Sequence, residues 1–475
     1  MQSELKFGTS GLRGPVVELN GPPAWAYTTA FLKVLADLGE LRAGDAVCVG
    51  RDLRASSPAI AGIVRGAIRA AGHAAIDCGL CPTPALSLYA SGRKAPAIMV
   101  TGSHIPDDRN GLKFYKADGE IDKADEQRIV EAHAGLAGMP PVTAAEASET
   151  VEPLAAYIRR YCDFFGPDEL SGLRIGVYQH SSVIREVLVE ILTALGAAVT
   201  PLGWSDVFVP VDTEAVSAED LAKLKAWAGA DRFDAIVSSD GDGDRPLVAD
   251  EHGDVVRGDA IGAITARLLG ADAIVTPLTS NSALEHILPD AQVFRTKVGS
   301  PFVIAGLEEA LAAGRKTVVG FEANGGLILG SSVRRGDHVL QALPTRDAVL
   351  PILACLSEMA RCKQPLSRIV GDLGLRAGLS NRLEHVPQAQ SAQFLQSLSE
   401  EGPERAEIAE RIGPVAQVDQ RDGVKLLARS GEVLYFRASG NAPELRCYVE
   451  APDPERAGAL LEWGLDFARA RVVPK

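Results

Sequence analysis

The sequence predicts an α/β protein: three similar α/β domains with mixed, mostly parallel sheets, then a smaller α+β domain. Three observations carry this. Short apolar runs alternate with segments of helical spacing, which implies parallel strands joined by crossover helices. The alternation occurs three times, in units of about a hundred residues, a common domain size. The C-terminal part breaks it, with four short strand-like runs and one long helical segment.

In the first unit, 46–50, 74–79 and 95–100 read as strands, and 57–71 as a helix capped by Ser56 or Ser57. The second has strands at 173–178, 198–202 and 235–238, with helices at 183–195 and 218–228. The third has strands at 273–276, 292–295 and 317–320 and a helix at 301–313. Strands at 415–418, 423–428, 433–438 and 445–450 and a helix at 454–470 make the last domain. The expected domains are 1–150, 151–262, 263–370 and 371–475, with 137–151 as the first connection. A polar, glycine-rich loop follows a strand in each α/β domain, at 101–106, 240–245 and 320–326. Ligand sites in open α/β sheets lie outside the carboxyl ends of strands. The three loops are therefore expected to face one central cleft.

The 475 residues carry a formal charge of −14, which argues against non-specific nucleic-acid binding. An anionic substrate would need local basic groups. No run of about eighteen uncharged apolar residues occurs, and the N-terminus lacks a signal pattern. No membrane partner and a cytoplasmic location are expected. Seven cysteines, an odd number, are expected as reduced thiols. Cys78 and Cys81 have dithiol spacing, but Pro82 and Pro84 follow, and a turn at a strand end is the favoured reading.

Ser239-Asp240-Gly241-Asp242-Gly243-Asp244-Arg245 is the most informative stretch. A tight loop can turn three carboxylates onto one point, and oxygen-only ligands suit a hard cation, Mg²⁺ first. Arg245 could hold a phosphate beside it. The spacing also matches EF-hand positions, with Glu251 as the twelfth, but Arg245 stands where that loop demands Gly, and both flanks read as strands. A solvated acidic hairpin is the bland alternative.

Thr101-Gly102-Ser103-His104-Ile105-Pro106 follows an apolar strand, and Asn110-Gly111 reads as a hairpin turn returning Lys113 toward Ser103. A serine nucleophile needs a proton partner and cations for the phosphoryl group, and Lys113 could serve either need. A capping serine is the alternative. Arg437-Ala438-Ser439-Gly440-Asn441-Ala442-Pro443-Glu444-Leu445-Arg446 offers turn N–H groups, a hydroxyl, an amide and two guanidiniums, the makings of a phosphate nest. Gly-x-Ser-x-Gly, Walker A and Gly-x-Gly-x-x-Gly signatures are absent.

Taken in order, these motifs resemble the α-D-phosphohexomutase family over nearly the whole chain. Gly8-Thr9-Ser10-Gly11-Leu12-Arg13-Gly14 resembles its N-terminal signature, and Gly320-Phe321-Glu322-Ala323-Asn324-Gly325-Gly326 its sugar-selecting loop. The resemblance implies four domains around a central cleft. It implies a phosphoryl group on Ser103 and Mg²⁺ held by Asp240, Asp242, Asp244 and a phosphoserine oxygen. Lys113, Arg13, His104 and Arg245 would surround the reacting group. Lys297, Gly299, Glu322 and Asn324 would meet the sugar. Arg437, Ser439, Gly440, Asn441 and Arg446 would hold the distal phosphate. The implied reaction interconverts hexose 6-phosphate and hexose 1-phosphate through a hexose 1,6-bisphosphate, which also serves as activator. Mannose is the expected sugar, with glucose or glucosamine as alternatives, and the protein a monomer or homodimer. A phosphosugar hydrolase or a non-catalytic sugar-phosphate-binding protein are the rivals from other classes.

Departures from the family pattern bear on specificity. Asn441 and Ala442 stand where Thr and Glu are common, Asn324 and Gly326 where Ser and His are common, and Ser300 where some relatives place Asp or His. Burial near Arg13 and Arg245 is expected to lower the Lys113 pKa. His338 is a possible stand-in for the missing histidine, though a surface role is favoured.

Overall fold

The structure, a computed structural model, describes residues 4–8, 11–136, 142–439 and 443–472. They fall into two compact units, one within 1–275 and 299–370, the other within 276–298 and 371–475.

The first unit holds three principal sheets. In the first, Ala46–Arg51 runs parallel to both Ala74–Leu80 and Ala97–Val100. Ala97–Val100 then pairs antiparallel with Arg109–Lys116, and that strand antiparallel with Leu12–Pro15. Pro22–Asp37 and Ser57–Ala70 are helices that bury their apolar side chains in the same core as strand residues Val47, Val49 and Ile98. In the second, Arg174–His180 lies between Ala198–Trp204 and Ala235–Ser239, all parallel, and Pro246–Ala249 closes the edge antiparallel. In the third, Ala273–Pro277 and Val318–Phe321 are parallel, while Leu327–Leu329 and Leu343–Asp347 follow antiparallel. A common device emerges. Each polar loop joins a parallel strand to the antiparallel strand beside it, so the loop projects from the carboxyl end of the parallel strands.

One turn is misread by sequence pattern. Asn110 and Gly111 lie inside the strand Arg109–Lys116. A Cβ on Gly111 would sit 2.4 Å from the Leu12 carbonyl oxygen and 2.9 Å from that of Thr101. Glycine is there for close strand approach, not for a turn. Asn110 is buried, and its Nδ2 donates to the hydroxyls of Ser56 and Ser57. Lys113 still returns to the serine loop, because it pairs across the sheet with Met99.

The second unit is an antiparallel sheet in the order Ala377–Leu383, Leu445–Ala451, Val433–Ala438, Val424–Ala428, Val415–Asp419. The helices Gln388–Ser399 and Pro454–Val472 pack on it, with Phe394 and Phe467 against Phe436. Residues 276–298 belong here through polar ties: Lys425 Nζ donates to the Leu278 carbonyl at 2.8 Å, and Arg421 to that of Arg295 at 2.7 Å. Among the described residues no helix is long and apolar enough to cross a membrane.

Candidate active site

The loop after Ala235–Ser239 is a hairpin connection between two strands, so the EF-hand alternative fails on its flanks. Asp240, Asp242 and Asp244 are each 0 % exposed, which removes the solvated-hairpin reading. Two glycines make the loop possible. Gly243 adopts φ +73°, in the left-handed region, and a Cβ on Gly241 would lie 2.7 Å from the Ser103 carbonyl oxygen.

One carboxylate oxygen from each aspartate lies within 4.8 Å of the others. Asp242 Oδ2 accepts from Lys113 Nζ at 2.5 Å and from the Thr83 hydroxyl; Asp244 Oδ2 accepts from Lys113 at 2.6 Å and Arg346 Nη2 at 2.7 Å. The Oδ1 atoms of Asp242 and Asp244 are buried and accept no hydrogen bond. Buried carboxylate oxygens without partners are costly, and a hard divalent cation is the group that such a donor set fits. Burial, then Asp242 and Asp244, push the Asp240 carboxyl well above the usual range. Burial also acts on Asp244, but Arg346, Lys113 and Arg245 outweigh it and hold it well below that range.

Ser103 is fully buried at φ +58°, a left-handed conformation that costs a non-glycine residue roughly 1–3 kcal/mol. Its hydroxyl donates to Asp240 Oδ2 at 2.5 Å. Arg54 holds the loop in that shape. Its guanidinium donates to the carbonyls of Ser103 (3.1 Å), Ile105 (2.5 Å), Pro106 (2.7 Å) and Arg109 (3.0 Å), and pairs with Asp52 at 3.2 Å.

Cations ring the serine. Arg245 Nη1 donates to His104 Nδ1 at 3.0 Å, and burial, then Arg245 and Arg13, lower the His104 pKa to about 2. His104 is thus a neutral brace whose Nδ1 is already used. Arg13 Nη2 and Arg245 Nε are buried without hydrogen-bond partners. Burial, then Arg245, lower the Arg13 pKa to about 10. Arg245 Nε stands 3.7 Å from Asp244 Oδ1, and guanidinium nitrogens that make no hydrogen bond are suited to an anion with several oxygens. The expected lowering of the Lys113 pKa is reversed. Burial pulls it down, but Asp242 and Asp244 raise it above the ordinary lysine value, so Lys113 is a fixed cation.

The third loop meets the second. Glu322 Oε1 accepts from Arg346 Nη1 at 3.0 Å, and Asn324 Oδ1 accepts from the Gly326 N–H at 3.0 Å. Thr213 donates to the Asn324 carbonyl at 2.9 Å. Gly299, at φ +127°, precedes the helix Ser300–Ala312, and the Ser300 hydroxyl donates to Glu120. His338 is exposed in a two-stranded hairpin.

Lys297, Arg437, Ser439 and Arg446 lie in the second unit. Arg437 Nε pairs with Asp422 at 2.8 Å, and the same carboxylate oxygen accepts from the Val298 N–H at 3.0 Å. Arg446 stands 3.5 Å from Glu444. Gly440 and Asn441 lie outside the described residues.

Comparison with known proteins matches this organisation. Four family profiles fit in order, described as phosphoglucomutase/phosphomannomutase α/β/α domain I at residues 4–136, domain II at 155–253, domain III at 257–374 and C-terminal domain at 397–462. The chain belongs to the phosphoglucomutase/phosphomannomutase family. It is 49 % identical to a phosphomannomutase of Sinorhizobium fredii, over 98 % of this chain and 99 % of that one. It is 40 % identical to a phosphomannomutase of Salmonella muenchen, over 99 % and 97 %. A phosphoglucomutase/phosphomannomutase family protein of Burkholderia thailandensis shares the fold, with a TM-score of 0.78 at 21 % identity, over 98 % and 97 %.

Within this family member, three residues at the site escape sequence reasoning. Arg54 follows a strand end in Arg51-Asp52-Leu53-Arg54, and charges just beyond an apolar strand were a usable signal. Thr83 sits between two prolines at the start of the helix Thr83–Gly92 and holds the Asp242 backbone as well as its side chain. Arg346 and Asp347 interrupt an apolar stretch, where a charged pair needs partners.

Proposed function

We propose that this protein is a Mg²⁺-dependent phosphomannomutase, interconverting mannose 6-phosphate and mannose 1-phosphate through a phosphoserine and a hexose 1,6-bisphosphate. One observation carries the reaction class: a buried serine in a strained loop bonds one of three buried aspartates, in a loop region where buried guanidinium nitrogens make no hydrogen bond. The mannose assignment rests on the two relatives named above. The unpaired state of all seven cysteines is in keeping with a cytoplasmic setting.

Ser103 would carry the phosphoryl group. Mg²⁺ would be held by Asp240, Asp242, Asp244 and a phosphoserine oxygen, and supplies positive charge that stabilises the transferring group. Arg13 and Arg245 steady the phosphoryl oxygens with N–H groups that make no hydrogen bond within the protein, and Lys113 adds a fixed positive charge. As the bond between phosphorus and Ser103 Oγ breaks and a bond to a sugar hydroxyl oxygen forms, that hydroxyl's proton passes to Ser103 Oγ. On return the second phosphate's bond to its sugar oxygen breaks, a bond to Ser103 Oγ forms, and the serine proton passes to the sugar oxygen released. When Ser103 is free, its proton rests against Asp240 Oδ2. Glu322 and Asn324 face the sugar, with Gly299 and Lys297 as further contacts. Arg437, Ser439, Gly440, Asn441 and Arg446 hold the phosphate that does not react, in either orientation. Arg437 then shares its charge between Asp422 and that phosphate.

Incubation with mannose 1-phosphate, Mg²⁺ and a trace of the 1,6-bisphosphate should yield mannose 6-phosphate. Ser103→Ala should abolish nearly all of it. Release of free phosphate instead makes the protein a hydrolase, and an active alanine variant overturns the phosphoserine.

A further inference from the structure

Arg346 is a buried cation placed between two of the loops described above. It is 1 % exposed, at the end of the strand Leu343–Asp347. Its Nε and Nη2 lie 3.2 and 2.7 Å from Asp244 Oδ2, while Nη1 lies 3.0 Å from Glu322 Oε1. One planar group therefore holds a carboxylate of the aspartate triad and the carboxylate of the third loop at once.

The surroundings fix that position. Asp347 accepts from Tyr157 at 2.5 Å, from the Tyr161 hydroxyl and from the Val349 N–H at 3.0 Å. The Ala348 N–H donates to the Gly243 carbonyl at 3.3 Å, tying the strand end to the aspartate loop. Gly326 completes the channel for the side chain. A Cβ there would lie 2.6 Å from Arg346 Cδ and 3.1 Å from the Asp244 carbonyl oxygen. Position 326 is glycine because the arginine stem passes over it.

The contact also decides which oxygen of Asp244 remains available. With Oδ2 taken by Arg346 and Lys113, only Oδ1 is left without a hydrogen bond. A lysine at 346 would keep the charge but not the fork, and could not serve Asp244 and Glu322 in the same geometry.

We propose that Arg346 is a positioning residue that couples the sugar-facing Glu322 to the metal-facing Asp244, with Gly326 as the space it requires. The proposal rests on the mutase reading above for its sugar half, and stands apart from it for its metal half. A displaced Glu322 should weaken sugar binding, and a displaced Asp244 should alter cation binding.

Four variants of the full chain test this: Arg346→Lys, Glu322→Gln, the double variant, and Gly326→Ala. Two quantities are measured, the kcat/KM for mannose 1-phosphate and the Kd for Mn²⁺ by direct titration. Arg346→Lys should lose at least thirtyfold in kcat/KM, with KM raised as well as kcat lowered. The double variant should be within threefold of the worse single variant, because one contact has been broken twice. Mn²⁺ affinity should shift at least threefold in Arg346→Lys and in Gly326→Ala, but not in Glu322→Gln. Gly326→Ala keeps every atom of Arg346 and decides the matter if Arg346→Lys does not fold. Multiplicative losses in the double variant, or Mn²⁺ affinity unmoved in both Arg346→Lys and Gly326→Ala, overturn the coupling. If the wild-type chain does not interconvert sugar phosphates, the mutase reading fails, and the Mn²⁺ titration alone then decides whether Arg346 sets Asp244.

Discussion

Replacing Arg54 by lysine should disable the serine loop without unfolding the protein. The guanidinium makes five hydrogen bonds, four to carbonyls of the loop or its end and one to Asp52, and its plane lies 3.9 Å over the Phe208 ring. A lysine ammonium has three donors at a single point, so at least two of these bonds are lost. Hydrogen bonds to a charged donor are worth roughly 1.5–3 kcal/mol each, and the loss is therefore about 3 kcal/mol or more. That equals or exceeds the roughly 1–3 kcal/mol stored at Ser103, whose φ is +58°. The equilibrium between the held loop and relaxed forms should then shift by about a hundredfold toward the relaxed forms, since about 1.4 kcal/mol is tenfold. The expected result is a kcat lower by up to about a hundredfold, with faster amide exchange confined to the loop after Val100. A folded Arg54→Lys variant with kcat within threefold of wild type, and unchanged exchange, would refute the argument.

Asp242→Asn and Asp244→Asn should each weaken Mn²⁺ binding at least tenfold and remove activity while leaving the fold intact; crystals soaked in Mn²⁺ that lack an anomalous peak at this loop would count against the site. Lys113→Ala should lower kcat by about 10²–10³, the span for losing one electrostatic stabilising group, because it removes the cation shared by Asp242 and Asp244. His338→Ala should leave kcat within about threefold; a large loss with folding retained would make His338 an acid–base group of the reaction. Burial lowers the His180 pKa to about 4, against about 6.5 unfolded, so the unfolded chain alone takes up a proton between those values. Stability contributed here is complete above pH 6.5 and falls by about 1.4 kcal/mol per pH unit toward pH 4. Urea unfolding at pH 7, 5.5 and 4.5 should show a shallower slope in His180→Gln, and an unchanged slope would contradict the assignment.

Periodicity made most of the α/β framework legible. The strand expected at 235–238 is Ala235–Ser239, and the helix expected at 57–71 is Ser57–Ala70. The failures have physical causes. Asn110-Gly111 carries a strong turn signal, yet a buried hydrogen-bond network and close strand approach outrank local preference there. Of the two serines expected to cap the helix Ser57–Ala70, Ser56 takes the N-cap position without a side-chain cap bond, while the Ser57 hydroxyl donates to Asp52. The aspartate loop was readable because its chemistry is compressed into seven residues. Arg54, Thr83 and Arg346 were not, because each acts on a loop far away in sequence: 49 residues separate Arg54 from Ser103, and 102 separate Arg346 from Asp244. The sign of the Lys113 shift was missed for the same reason. Its neighbours from the second sheet, not the arginines alone, set its charge.

The charges explain why an acidic protein can hold a polyanionic reaction. The chain carries −14, but the buried groups around Ser103 nearly cancel. Asp240, Asp242, Asp244 and Glu322 face Arg13, Lys113, Arg245 and Arg346 within the same unit. A divalent cation alone would upset that balance by two charges. A phosphoryl group on Ser103 alone would upset it by about as much in the other direction. Bound together they restore it. In a site this dry an uncompensated charge is costly, so the cation and the phosphoryl group should each favour the other's presence. The Oδ1 atoms of Asp242 and Asp244 and the Arg13 Nη2 and Arg245 Nε atoms, none of them hydrogen-bonded, would then serve the two groups in turn. The carboxylate oxygens would take the cation and the guanidinium nitrogens the phosphoryl group, each making the other's charge tolerable.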